Sequence, residues 1–323
     1  MDWFGVAAYQ AAHGRSLAVA LDHGGRVVDL AGACAAYGLP LLSGESHPRA
    51  ARPFPGWPFP DWTGASAQLA ELAAAASADP ARMTHLPDVT EHLLAPPCSG
   101  RTFAAASNYV DHAEEMGTAL AAKADSNPYM FIKPDTCLIG PRRAVELPPR
   151  SSQVDWEVEL AVVIARTARH VSTGDALGYI AGYTVINDIS ARDLNVRSDF
   201  PFTFDWFQGK GFDTFAPLGP WLVPAALIED PQRLRISLSV NGEVMQDATT
   251  AEMIFTVAEQ ISYLSSILTL HPGDVIASGT PDGVGMGRGI YLKPGDVMTA
   301  EIEGIGQLVN PVVTAPVPVP GKP

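Results

Sequence analysis

The sequence predicts a β-rich α+β chain with a roll- or barrel-like core, and three features carry that expectation. Residues 154–164 and 180–186 are apolar, β-branched runs with the length of buried strands. Asn241-Gly242, set between residues 236–240 and 243–245, has the pattern of a two-residue hairpin turn. Residues 268–276, built around Pro272-Gly273-Asp274, are echoed by residues 290–298 around Pro294-Gly295-Asp296, so one strand–turn–strand design occurs twice.

Taken in order, residues 1 to about 45 read as short strands and turns, with 16–21 and 26–30 forming a hairpin across Asp22-His23-Gly24-Gly25. Residues 52–62, dense in proline and aromatics, read as loop. Residues 65–78 have helical composition, with Leu69, Leu72 and Ala73 on one stripe and Asp79-Pro80 as the stop. Residues 1–95 hold no convergent polar set and are expected to form a small structural N-terminal domain. A catalytic domain is expected over 96–315, followed by an extended Pro-rich tail at 316–323. Within the catalytic domain, residues 102–106 lead into a short helix near 107–116 with Ser107 or Asn108 as N-cap. Residues 128–134 read as a strand, 172–175 as a turn, and 251–268 as one helix with Ile254, Val257, Ile261, Leu264 and Leu268 on one side. The Gly-rich run 278–287 reads as a loop with no helix after it, open to close approach by a ligand.

Composition narrows the function. With 21 Lys and Arg against 35 Asp and Glu, the net charge of −14 disfavours nucleic acid and anionic membranes as partners. No apolar run reaches the roughly 18 residues of a membrane span. The N-terminus has neither the basic start nor the apolar core of a signal peptide. Cys34, Cys98 and Cys137 are few, odd in number and widely spaced, which fits a reducing compartment, and the cytoplasm is the expected location.

The chain is organised around residues 154–164. A strand alternates faces, so Asp155, Glu157 and Glu159 are expected to point one way and Trp156, Val158 and Leu160 the other. Carboxylates two apart on a strand stand about 7 Å from each other and repel by roughly 2 kcal/mol at an effective dielectric of about 20. Protons, Arg or Lys partners, or a hard divalent cation must neutralise them. Asp188, at the mouth of the apolar run 180–186, is placed to be a third ligand, while Asn187 or Ser190 is expected to cap a helix. His112 and Glu115, three apart, share a helix face and form a usable acid–base pair. Lys210, between glycines and aromatics, suits a substrate carboxylate or a polarised carbonyl.

From about residue 100 to residue 310 the chain resembles the fumarylacetoacetate hydrolase superfamily. The matching pieces are Asn108-Tyr109 with His112 and Glu115, Phe131-Ile132-Lys133-Pro134, Asp155-x-Glu157-x-Glu159, Gly182-Tyr183-Thr184, Asn187-Asp188-x-Ser190-Ala191-Arg192-Asp193, Lys210-Gly211-Phe212-Asp213-Thr214, Pro272-Gly273-Asp274 and Gly279-Thr280-Pro281. The resemblance implies a mixed β-roll catalytic domain, a homodimer, and a divalent metal, Mg²⁺ with Mn²⁺ or Ca²⁺ as alternatives, held by Glu157, Glu159 and Asp188. It implies a His112–Glu115 dyad that activates water, and Lys210 against developing negative charge. Tyr109, Lys133, Arg192, Asn195 and Thr280 would surround a 2-oxo or diketo acid substrate. The implied reaction is hydrolysis of a C–C bond in an acylpyruvate-like β-diketo acid, with oxaloacetate-type decarboxylation or enol isomerisation at the same metal as the alternative. Two positions depart from the family pattern: Ala106 stands where Gly is usual, and Asn195 where a longer Gln is usual. Residues 109–127 carry few large apolar anchors and are expected to open without ligand and close over it.

Overall fold

A computed structural model describes residues 2–12, 14–21, 26–40, 57–98, 100–117, 119–199 and 201–316. Its frame is an eleven-stranded mixed sheet facing a five-stranded one, with a small two-stranded pair beside them. Strand Val158–Ile164 runs near the middle of the large sheet, between antiparallel neighbours Ile180–Asn187 and Val275–Ala277. All seven of its residues are buried. Its even positions, Val158, Leu160, Val162 and Ile164, pack into the core shared with Ile236, Met298 and Ile302 of the five-stranded sheet. Its odd positions Ala161 and Val163 pack on the other side, against Trp62, Leu69 and Leu72 of helix Trp62–Ala78. Two covered faces explain why the run is continuously apolar rather than alternating. Glu159, at the end of the strand, is the exception that the site uses.

The large sheet continues into the N-terminal segment. Strand Gly5–Ala11 pairs with Ala216–Pro224 through Val6 and Leu222, and the Trp62 indole N–H donates to the Ala181 carbonyl at 2.9 Å. Sheet and core therefore run across residue 95 without a break. Strands Gly14–Ala20 and Val27–Asp29 pair antiparallel, as the hairpin reading requires; its turn, residues 22–25, lies outside the described residues, as do 52–56 of the aromatic loop and 317–323 of the tail. Hairpin Arg235–Val240/Glu243–Thr249 turns on Asn241 and Gly242 at φ of 53° and 84°, the left-handed pair that a tight hairpin needs.

Several local expectations are corrected. The expected helix over 251–268 divides into a 3₁₀ turn, Thr250–Glu252, and a helix, Val257–Ile267. Phe255 cannot join either, because the Asn108 side chain accepts its N–H at 2.8 Å and donates to its carbonyl at 2.9 Å. Asn108 is thus a clamp and not an N-cap; helix Val110–Glu115 begins after Tyr109 with no side-chain cap from Ser107 or Asn108. Asn187 and Ser190 cap no helix either: Asn187 accepts the Glu157 N–H and Ser190 donates to the Asp188 carbonyl. The turn at 172–175 tightens into a one-turn helix, Thr173–Ala176, and another, Gly285–Arg288, closes the Gly-rich run. The two Pro-Gly-Asp turns are built alike: Asp274 accepts the His271 N–H and Asp296 the Lys293 N–H, each at 2.7 Å. Each feeds a strand, but the first enters the large sheet and the second the five-stranded sheet, and the residues before each turn are not in strands.

Candidate metal centre and active site

The acidic run does not form one unbroken strand. Val154–Asp155 pairs with Ser190–Ala191, Trp156 and Glu157 lie between this short strand and Val158–Ile164, and the Asp188 N–H donates to the Glu157 carbonyl at 2.8 Å. Asp155 lies outside the cluster formed by the other acids, although Arg192 bridges it to Glu157. Asp155 accepts N–H groups of Trp156, Gly285 and Met286 and pairs with Arg192 at 2.8 Å. Glu157, Glu159 and Asp188 do converge: each places a carboxylate oxygen within 4.8 Å of the others, and all three are buried.

Their surroundings show what the cluster lacks. Lys210 donates to Glu157 at 2.6 Å and to Asp188 at 2.5 Å, Lys133 pairs with the other Asp188 oxygen, and Arg192 reaches Glu157 at 2.6 Å. Burial works against the Glu157 charge, but Lys210 and Arg192 outweigh it and hold the carboxyl well below its usual range. Burial also works against the Lys210 charge, and Asp188 and Glu157 more than restore it. Glu159 receives only the Gly279 N–H at 2.7 Å, and its other oxygen is buried without a partner. Burial, then Asp188 and Glu157, push its carboxyl well above the normal value. Four buried carboxylates (Asp155, Glu157, Glu159, Asp188) thus meet three buried cations (Lys133, Arg192, Lys210). An oxygen-only donor set with one orphaned oxygen and a deficit of positive charge fits a hard divalent ion.

A cavity of about 460 Å³ opens onto this cluster, and His112, Glu157, Glu159, Arg192, Asn195, Lys210 and Thr280 line it. His112 Nδ1 stands 3.6 Å from Glu115, longer than a hydrogen bond, and is buried with no closer partner. Glu115 is tied to the Gly-rich run by the N–H groups of Gly283 and Val284. Burial raises its pKa, and His112 with these two amides outweighs burial, so the carboxyl ionises below its ordinary range. A sub-ångström approach would complete the dyad, and such pairs tighten when a ligand binds.

Two of the expected substrate-contacting residues do not line the cavity: Lys133 is sealed behind Asp188, and Tyr109 is buried with its hydroxyl unpartnered. Thr280 lines the cavity, but its hydroxyl donates to the Val158 carbonyl at 2.8 Å. Arg192 Nη2 and Asn195 Oδ1 are buried polar atoms at the cavity that have no protein partner. The sequence reading missed Gln246, a buried strand residue that accepts the Val158 N–H and donates to Thr280 and Pro281. Residues 243–249 are Glu-Val-Met-Gln-Asp-Ala-Thr, a mixed run in which nothing set Gln246 apart. Asn108, expected as an N-cap and as part of the family pattern, instead ties the stretch before the dyad helix to Phe255 and Ser278.

Residues 101–313 match the family described as fumarylacetoacetate (FAA) hydrolase C-terminal. The chain belongs to the fumarylacetoacetate hydrolase family. Its curated relatives include the rat mitochondrial oxaloacetate tautomerase Fahd2a, 44% identical over 208 residues, a match spanning 64% of this chain and 64% of the relative. The human mitochondrial oxaloacetate tautomerase FAHD2A is 41% identical over 247 residues, 76% of each. Among solved structures, the 2-hydroxyhepta-2,4-diene-1,7-dioate isomerase of Mycobacterium marinum aligns with 97% of this chain and all of its own, at a TM-score of 0.68 and 30% identity. The fumarylpyruvate hydrolase of Pseudomonas aeruginosa, solved with Mn²⁺ and pyruvate, aligns with 69% of this chain and 92% of its own, at 0.60 and 32%. Fold class and family thus agree with the expectations from the sequence, and the matched region contains a buried acidic cluster whose oxygens suit a divalent metal.

Proposed function

We propose that this family member is a metal-dependent keto–enol tautomerase of 2-oxo acids, moving a proton between carbon and oxygen without breaking a C–C bond. The observation that carries the proposal is its 44% identity to a named oxaloacetate tautomerase. The likeness over 97% of the chain to an isomerase supports it, because that reaction class also relocates a proton. Glu157, Glu159 and Asp188 would hold the ion, which when bound supplies Lewis-acid polarisation of the 2-oxo group. Arg192 Nη2 is the free donor for the acid's carboxylate. Lys210, kept cationic by its two carboxylates, serves as an electrostatic group and not as a base. His112, backed by Glu115, takes a proton from C3 and returns it at the oxygen. Hydrolysis of a β-diketo acid remains the second reading, favoured by the likeness to fumarylpyruvate hydrolase.

Following the ultraviolet absorbance of oxaloacetate enol with Mg²⁺ or Mn²⁺, alongside CO₂ release and acylpyruvate cleavage, separates the readings. The expected result is accelerated enol loss with the four-carbon acid recovered whole. Faster splitting of acylpyruvates into two organic acids would overturn the proposal.

A further inference from the structure

The cavity holds two chemically different halves. Its floor is the polar cluster just described; its mouth is formed by Leu120, Tyr129, Val196, Phe204, Trp206 and Met286. Five of these are exposed, with Phe204 at 64% and Tyr129 at 58%. Single exposed apolar residues are ordinary, but a contiguous set rimming a cavity marks a binding surface. The rim is also built. Val196 and Phe204 pair as an antiparallel bridge, the Asp205 N–H donates to the Asn195 carbonyl at 2.9 Å, and Trp206 packs on Tyr129 at 5.3 Å and on Phe131 at 5.1 Å. Lys210 Nζ lies 5.8 Å from the Trp206 ring, so the aromatic wall begins where the polar floor ends. A four-carbon acid would occupy the floor and leave this wall against water. At about 460 Å³ the cavity falls within the roughly 300–1,000 Å³ of sites that enclose larger ligands.

We infer that the substrate is a 2-oxo acid with an apolar, preferably aryl, substituent beyond C3, seated against Phe204, Val196 and Trp206. This rests on the tautomerase reading for the polar end and adds the identity of the other end. Binding tests it apart from turnover. Oxamate and N-phenyloxamate, which cannot tautomerise at C3, are titrated by calorimetry into the Mg²⁺-supplied protein. The phenyl compound is expected to bind roughly tenfold to hundredfold more tightly, the gain from burying one ring. Phe204→Ser is expected to shrink that ratio severalfold. Equal affinities would overturn the inference, and equal affinities with a smaller oligomer for Phe204→Ser would assign the rim to an interface instead. Enol assays on phenylpyruvate and oxaloacetate serve the other question. If neither is accelerated while the phenyl preference in binding stands, the tautomerase reading fails and the apolar-substituent inference survives. Turnover of both, with no phenyl preference in binding, would do the reverse.

Discussion

The two halves of the candidate site are built on different foundations. The acidic cluster sits at the ends of the paired strands Val158–Ile164 and Ile180–Asn187, and every one of its carboxylates is buried. The His112–Glu115 dyad sits on the six-residue helix Val110–Glu115, of which only His112 and Ala113 are buried. One half is fixed by sheet registry; the other is held by a few tethers. The contrast teaches that a charge cluster demands rigid walls, whereas a proton carrier needs reach and return. A carboxylate group that shifts by an ångström loses its cation, but a base can close on its substrate when the substrate arrives.

The contrast is broken most severely at Glu159. Glu159→Gln is expected to weaken Mg²⁺ or Mn²⁺ binding at least about 100-fold and to abolish turnover. Because this carboxyl is already pushed toward its neutral form, and Gln still accepts the Gly279 N–H, denaturant stability should change by less than about 1 kcal/mol. Calorimetry with the metal and a urea titration check the two halves of the statement. Retained metal affinity would remove Glu159 from the ligand set.

His112→Ala is expected to leave metal affinity as it is and lower the rate by about 10² to 10⁴, the usual worth of a positioned acid–base group. Parallel loss of metal binding would show that the two halves are not independent.

Glu115 gives a smaller, pH-dependent signal. Its carboxyl ionises below the ordinary 4.5 because His112 and the Gly283 and Val284 amides outweigh burial. A depressed carboxyl contributes stability that is fully present above the unfolded value and is lost as pH falls through the folded one. Wild type should therefore exceed Glu115→Gln by about 1 kcal/mol at neutral pH. The gap should close as pH falls below about 4.5. Denaturation of both proteins across that window checks it; a gap independent of pH would mean that charge at Glu115 contributes nothing.

Where the sequence was legible, the deciding contacts were local or periodic. Glu157, Glu159 and Asp188 were readable because carboxylates flank apolar runs that must be strands, and the Asn241-Gly242 hairpin because two adjacent residues set its turn. The role of Asp155 was not readable: it is taken up by the Arg192 guanidinium and by the N–H groups of Gly285 and Met286, 130 and 131 positions on, and no alternation rule contains those contacts. The helix over 251–268 failed for the same reason: Asn108, 147 residues away, takes Phe255 out of it. Side chains that bond distant backbone leave no periodic trace, so neither the clamp made by Asn108 nor the bonds of Gln246 could be read from spacing.

The finest measure of the contrast is amide hydrogen exchange. Strand Val158–Ile164 is paired on both sides and fully buried, so its amides should exchange only through opening near the global free energy. Helix Val110–Glu115 has scarcely more than one turn, with Val110 51% exposed. Its tethers are the Glu115 bonds to the Gly-rich run and, further along the chain, Lys123, which meets Glu259 at 2.8 Å and lies over the Phe255 ring at 5.5 Å. Few buried contacts mean a low local opening free energy. A ligand that engages His112 should slow exchange there and leave the central strand unchanged. With oxalate and Mg²⁺ at about 100 times the dissociation constant, the limit is about 2.7 kcal/mol, or roughly 100-fold in protection. Raising salt should loosen the exposed Lys123–Glu259 pair and speed exchange of the helix first. Protection of the helix equal to that of the strand, with and without oxalate, would show that the dyad is as rigid as the acidic cluster and that the two halves share one foundation.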